Sequence, residues 1–190
     1  MAYLLLIRPW HLRWGATLEE ARRELSGDYL VRSPFLKATR AITIDAPLSA
    51  VWPWLVQMGY RRAGFYSYDW IDNDRIPSAD RIVPELQHLQ VGELVPTGPG
   101  EGFRVAVIDP ERALVLQIDH PRAQISSALV LASPEGRSTR LIMRLWARFP
   151  LSLFALLYYP VFEPGDFVMM RKELLGIKAR AERAWNSVPA

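Results

Sequence analysis

The sequence predicts an α+β domain in which a curved antiparallel sheet wraps around a long C-terminal helix. Three observations carry this. From Val91 to Arg148 the chain reads as a meander of short strands separated by turn residues. Past Gly165, the apolar residues Phe167, Met170, Leu174, Ile177 and Ala181 recur at helical spacing, with Lys172, Lys178, Arg180 and Arg183 largely off that stripe. The 190 residues, half of them apolar, suffice for one well-buried core but not for two ordinary domains without a linker.

Residues 1–36 show no sustained period and are expected to form an arm packed on the domain proper, residues 37–186. Within the arm, Thr17 followed by Glu20 is a capping-box pattern for a short helix reaching about Leu25. Ala38 to Ile44 alternates in a β-branched run and reads as a strand. Asp45-Ala46-Pro47 then starts a helix to about Met58, which places Val51, Leu55 and Met58 on one face and Pro53 at an expected kink. Strands follow near 93–96, 103–108, 113–118, 125–132 and 138–148, the last two joined through Ser133-Pro134-Glu135-Gly136. In the final strand Leu141, Met143, Leu145 and Ala147 alternate with Arg140, Ile142, Arg144, Trp146 and Arg148, which predicts one buried face and one wet face. Pro150 ends it. A helical region follows, with a break expected around Pro160 to Gly165 before the long amphipathic helix.

Composition narrows the function. Cysteine is absent, which excludes a disulfide framework, a thiolate metal site and a cysteine nucleophile. The formal charge of +3 comes from basic residues spread along the chain without a dense tract, so nucleic-acid binding is not expected. Met1 to Trp10 lacks the basic region and cleavage site of an export signal. The apolar run Leu151 to Phe162 is interrupted by Pro160 and ended by Glu163, short of the roughly 20 residues that span a bilayer. A soluble, cytoplasmic protein without stable membrane insertion is expected.

Strand, helix, aromatic-rich segment, meander and long C-terminal helix is the element order of the helix-grip fold. The stretches Arg8-Pro9-Trp10-His11-Leu12-Arg13-Trp14-Gly15-Ala16-Thr17, Ala41-Ile42-Thr43-Ile44-Asp45-Ala46-Pro47 and Val51-Trp52-Pro53-Trp54-Leu55-Val56-Gln57-Met58-Gly59 resemble bacterial members of the START-like (SRPBCC) superfamily. So do Gly64-Phe65-Tyr66-Ser67-Tyr68-Asp69-Trp70 and Ser78-Ala79-Asp80-Arg81-Ile82-Val83-Pro84-Glu85. That superfamily groups Bet v 1-like proteins, lipid-transfer domains and polyketide cyclases. The resemblance runs from about Arg8 to Glu182 and implies an apolar cavity between sheet and helix, but no particular reaction.

Seven of the 21 aromatic residues fall between Trp52 and Trp70. A cluster this dense either lines an apolar pocket or fills the core. The candidate ligand wall is Trp54, Tyr60, Phe65, Tyr66, Tyr68, Trp70 and Arg81, with Phe167, Met170 and Leu174 from the C-terminal helix. Asp69, Asp80 and Glu85 add charge nearby, and Asp80 with Arg81 reads best as a structural ion pair. His11, His88 and His120 form no metal-binding pair, and Asp69, Asp72 and Asp74 lack the glycine a calcium loop requires. Gly98, Gly100 and Gly102 join two strands and open no helix, which argues against a phosphate loop. No metal, cofactor or catalytic set is expected. The functional expectation is binding or carriage of a hydrophobic small molecule, lipid or polyketide-like. The alternative is a cyclase, dehydrase or hydrolase in which Tyr66, Tyr68, Asp69 or Asp80 moves protons.

Overall fold

The computed structural model describes residues 6–133, 136–150 and 153–187, with the side chains of 153–160 outside the described set. Two short helices, α1 (Arg8–Leu12) and α2 (Leu18–Arg22), precede strand β1 (Leu36–Ile44), helix α3 (Leu48–Val56) and the single turn α4 (Asp69–Asp72). The meander β2 (Leu94–Gly98), β3 (Glu101–Asp109), β4 (Ala113–His120), β5 (Ala123–Ala132) and β6 (Thr139–Arg148) leads into α5 (Leu153–Asn186).

All pairings are antiparallel, in the order β1-β6-β5-β4-β3-β2. Register shifts between Val105 and Val107 and between Pro96 and Gly98 place bulges in β3 and β2, the usual device for bending a sheet. The inward residues of β1, β4, β5 and β6, among them Leu36, Leu114, Leu129 and Leu141, meet Trp54 and Leu55 of α3 and Met170, Leu174, Ile177 and Ala181 of α5 in one cluster. The predicted stripe of α5 is therefore core from Met170 to Ala181. This is the helix-grip arrangement, a curved sheet around a long C-terminal helix.

Two expectations are corrected. First, no break occurs between Pro160 and Gly165, because α5 runs through Pro160, Pro164 and Gly165 as one helix. The prolines forfeit backbone hydrogen bonds, yet tertiary ties hold the segment. Glu163 accepts from Arg8 Nε and Nη2 at 2.9 Å each, and Asp166 accepts from Arg40 Nη1 at 2.7 Å. Packing outweighs local propensity here.

Second, the outer face of β6 is not wet where α2 and the turn after it cover it, and Ile142 and Arg144 are buried. Arg144 uses its whole guanidinium. Nε donates to Thr39 Oγ1 (3.0 Å), Nη1 to the Arg23 carbonyl (2.9 Å) and the Asp28 carboxylate (2.6 Å), and Nη2 to the carbonyls of Glu20 (2.7 Å) and Ala21 (3.1 Å). A charge takes the place of an apolar contact because the end of α2 presents carbonyls that lack helical partners.

The Thr17–Glu20 capping box is present in full, and the helix it starts ends at Arg22, earlier than Leu25. Glu20 also accepts from Arg140 Nε at 2.7 Å, and chiefly that bond holds its carboxyl down at about 2. A depressed acid stabilises the fold above its unfolded value near 4.5 and loses that contribution as pH falls toward 2. After discounting for its partial exposure, Glu20→Gln is expected to cost about 1–2 kcal/mol at pH 7 and nearly nothing at pH 2. Urea unfolding at both pH values checks this. The arm also protects the sheet edge: Ala41 N–H of β1 donates to the Trp14 carbonyl at 3.1 Å. Gly15, at φ +71°, approaches so closely that a Cβ would lie 2.1 Å from the Ala41 oxygen.

Candidate functional site

At one end of the sheet, the β2–β3 turn, the β4–β5 turn, Phe149 and Phe162 of α5 line an open groove of about 600 Å³. Its apolar wall comes from Ile118 and Ile125, register partners on β4 and β5, and from Phe149 and Phe162, whose rings meet edge-to-face at 5.3 Å. Strand alternation explains the first pair, since both continue the inward rows of Leu116 and Leu129 past the packed core. The polar rim carries Arg104, Gln117, Asp119 and His120. Arg104 Nη1 donates to the Gly92 carbonyl at 3.1 Å, and Gln124 Nε2 donates to Asp119 at 3.1 Å. His120 Nδ1 accepts from the Arg122 N–H at 3.2 Å, which leaves Nε2 as the nitrogen directed elsewhere. A long apolar body with one polar end matches such a surface.

The ten candidates from the sequence lie elsewhere. Trp54 and Tyr66 are buried and stack edge-to-face at 5.8 Å, and Met170 and Leu174 are buried in the same cluster. Tyr66 Oη donates to the Trp54 carbonyl at 2.9 Å and accepts from Gln57 Nε2 at 3.0 Å, while burial pushes its ionisation well above the ordinary value. Phe65 is half-buried against the core, and Tyr68 is half-buried. Tyr60 pairs with Asp74 near the surface, while Trp70 and Arg81 are exposed. Arg81 contributes its carbonyl, an acceptor for Gln57 Nε2 at 3.2 Å, and pairs with Asp80 in no ion bridge. Phe167 sits under α1, its ring centroid 5.3 Å from that of Trp10.

The aromatic segment is instead fastened to α5. Gly176 comes so near that a Cβ would lie 2.2 Å from the Tyr66 oxygen. Arg180 donates to the Ala79 carbonyl at 2.8 Å and lies 4.8 Å over the Tyr66 ring. Near this junction lie two acids with buried carboxyl groups, Asp72 and Glu173. Burial, then Asp69, pushes Asp72 up to about 6, and both its carboxylate oxygens are buried without a partner. Burial, then Asp72 and Asp166, raises Glu173 well above the usual range. Acids raised in this way keep protons in the folded chain that the unfolded chain releases, so stability falls as pH rises through about 4 to 6 and above. Glu173→Gln is expected to stabilise the fold at pH 8 and to flatten that decline. Thermal unfolding of parent and variant from pH 4 to pH 8 tests it, and a variant no more stable at pH 8 contradicts it.

The groove residues Arg104, Gln117, His120, Phe149 and Phe162 were not among the sequence candidates. The only signal for them was the position of the two turns, Thr97 to Gly102 and Asp119-His120-Pro121, at one end of the meander. Among the described residues, no group of three or more His, Asp or Glu side chains is arranged to hold a metal ion, and no helix is long and apolar enough to cross a membrane.

No family model matches the chain, and no curated protein matches it. Solved structures do. The chain is similar to the KanY protein, with 12% identity, 77% of this chain and 97% of that one covered, and a TM-score of 0.50. It is similar to CalU16 from Micromonospora echinospora, with 17% identity, 80% and 86% covered and a TM-score of 0.40. DynU16, a protein of the dynemicin biosynthetic locus, matches with 12% identity, 81% and 48% covered and a TM-score of 0.44, so the chain spans about half of its length. At such identities the likeness to KanY concerns fold alone, and it agrees with the helix-grip arrangement of antiparallel sheet and long C-terminal helix described above.

Proposed function

We propose that this protein binds or carries a hydrophobic small molecule, a lipid or an aromatic, polyketide-like compound, in the groove at one end of the sheet. The observation that carries the reading is the combination of Phe149, Phe162, Ile118 and Ile125 around a volume of about 600 Å³, within the usual range for small-molecule sites. Arg104 and His120 at the rim suit the polar end of an amphiphile.

The enzymatic alternative has less support. Tyr66 is locked between Gln57 and Trp54, and Asp69 accepts from the backbone N–H and hydroxyl of Ser78. Asp80 is exposed. None of these groups, nor Tyr68, belongs to the groove wall.

Native mass spectrometry of protein purified from its own host is expected to show a bound apolar molecule, and myristate is expected to raise the unfolding temperature of stripped protein. Phe162→Ala should weaken myristate binding by roughly tenfold or more, since burying a Phe side chain is worth about 1.5–3 kcal/mol. Protein that is repeatedly empty, with no thermal shift from myristate or from an aromatic panel, contradicts the proposal.

A further inference from the structure

On the opposite, outer face of the sheet, a second hollow of about 350 Å³ lies between the N-terminal arm and strands β1 and β6. Four separate stretches build it. Arg13 follows α1, Arg22 and Arg23 close α2, and Lys37, Thr39 and Trp146 project from the two strands. Arg144 forms part of the floor, but all of its donors are already used on Thr39, Asp28 and the arm carbonyls. It positions the arm and is not available to a ligand.

The remaining cations are available. The guanidinium groups of Arg13, Arg22 and Arg23 have no ion pair or hydrogen bond among the described residues, and the Lys37 ammonium rests 4.7 Å over the Trp146 ring. Against these four stands only Glu24, since Asp28 is taken by Arg144. Exposed arginines are ordinarily just solvated. Here all three line one hollow together with Lys37, which leaves a positive surplus around it.

We infer that this hollow is a binding site for a phosphoryl-bearing anion. A single carboxylate would leave most of the surplus unmet, whereas one phosphoryl group carries about −1.5 to −2 at neutral pH and offers three strong acceptor oxygens. Guanidinium forks match that geometry, and Lys37 adds a point charge. The ligand would join the arm to β1 and β6, so binding on this face is independent of the apolar groove.

The test uses the full chain at about 0.15 M salt, where loose surface attraction is screened beyond roughly 8 Å. Titration with inorganic diphosphate, followed by calorimetry, is expected to show saturable one-to-one binding. Arg23→Glu and Lys37→Glu should each weaken it about tenfold, and Glu24→Gln should tighten it severalfold. Arg183→Glu, an equal charge change on exposed α5, should leave it unchanged, with circular dichroism confirming that every variant is folded. In parallel, phosphatidylcholine vesicles with and without phosphatidic acid locate the source of the phosphoryl group. Vesicle binding with the same variant pattern assigns it to a lipid headgroup, and diphosphate binding alone assigns it to a soluble ligand. Absence of binding in both arms, or equal weakening by Arg183→Glu and Arg23→Glu, overturns the inference.

Discussion

Arg144→Ala is expected to destabilise the protein by about 3–5 kcal/mol, the range for breaking a buried ion pair from one side. The substitution leaves Asp28 without its cation and three arm carbonyls, of Glu20, Ala21 and Arg23, without their donor. The buried Thr39 hydroxyl would lose the donor it has in Arg144 Nε. The damage should concentrate in the arm, so limited proteolysis before β1 should accelerate well beyond what the global loss in urea unfolding accounts for. Unchanged stability and an equally resistant arm would mean that the arm is held by something other than Arg144. The neighbouring Arg140, paired with Glu20 nearer solvent, should matter less.

Leu174→Ala is expected to cost about 2–5 kcal/mol, toward the upper end, because Leu174 is fully buried between sheet and helix. A site already open to a cavity would lose less, since fewer packed neighbours are forfeited. Leu174→Asp should prevent stable folding by burying an unpaired charge. Lys178 is the comparator on the same helix. The sequence suggested a solvated side chain there, but Nζ donates to the Thr43 carbonyl at 2.7 Å and to Glu182 at 2.5 Å, tying α5 to the end of β1. Lys178→Ala is therefore expected to cost about 1 kcal/mol. Equilibrium unfolding of the three variants ranks these effects, and a Leu174→Ala variant as stable as the parent would mean that the sheet does not grip this helix.

The elements legible in the sequence were those whose signal is local. The inward row of β6, the stripe from Met170 to Ala181 and the Thr17–Glu20 cap each depend on neighbouring residues, and each appears in the structure. What escaped depends on partners far along the chain. Arg144 looked like a solvent-facing residue because nothing near it shows that α2 ends above it, and Pro160 to Gly165 looked like a break because Arg8 and Arg40 lie more than a hundred residues away. The candidate groove was the least legible part. Aromatic density between Trp52 and Trp70 could not separate core from pocket, since both favour the same side chains. The groove draws instead on single residues from strand ends and turns, whose meeting is a property of the folded sheet.

The most direct test of the groove as the ligand site is backbone amide NMR of stripped protein titrated with myristate. Saturable shifts are expected at Ile118, His120, Ile125, Phe149 and Phe162, while Trp54, Tyr66 and Leu174 move little and Ile118→Asp abolishes the response without unfolding the protein. Shifts confined to Trp54, Tyr66 and Leu174, or a response that survives Ile118→Asp, would contradict the account and place the ligand beneath α5.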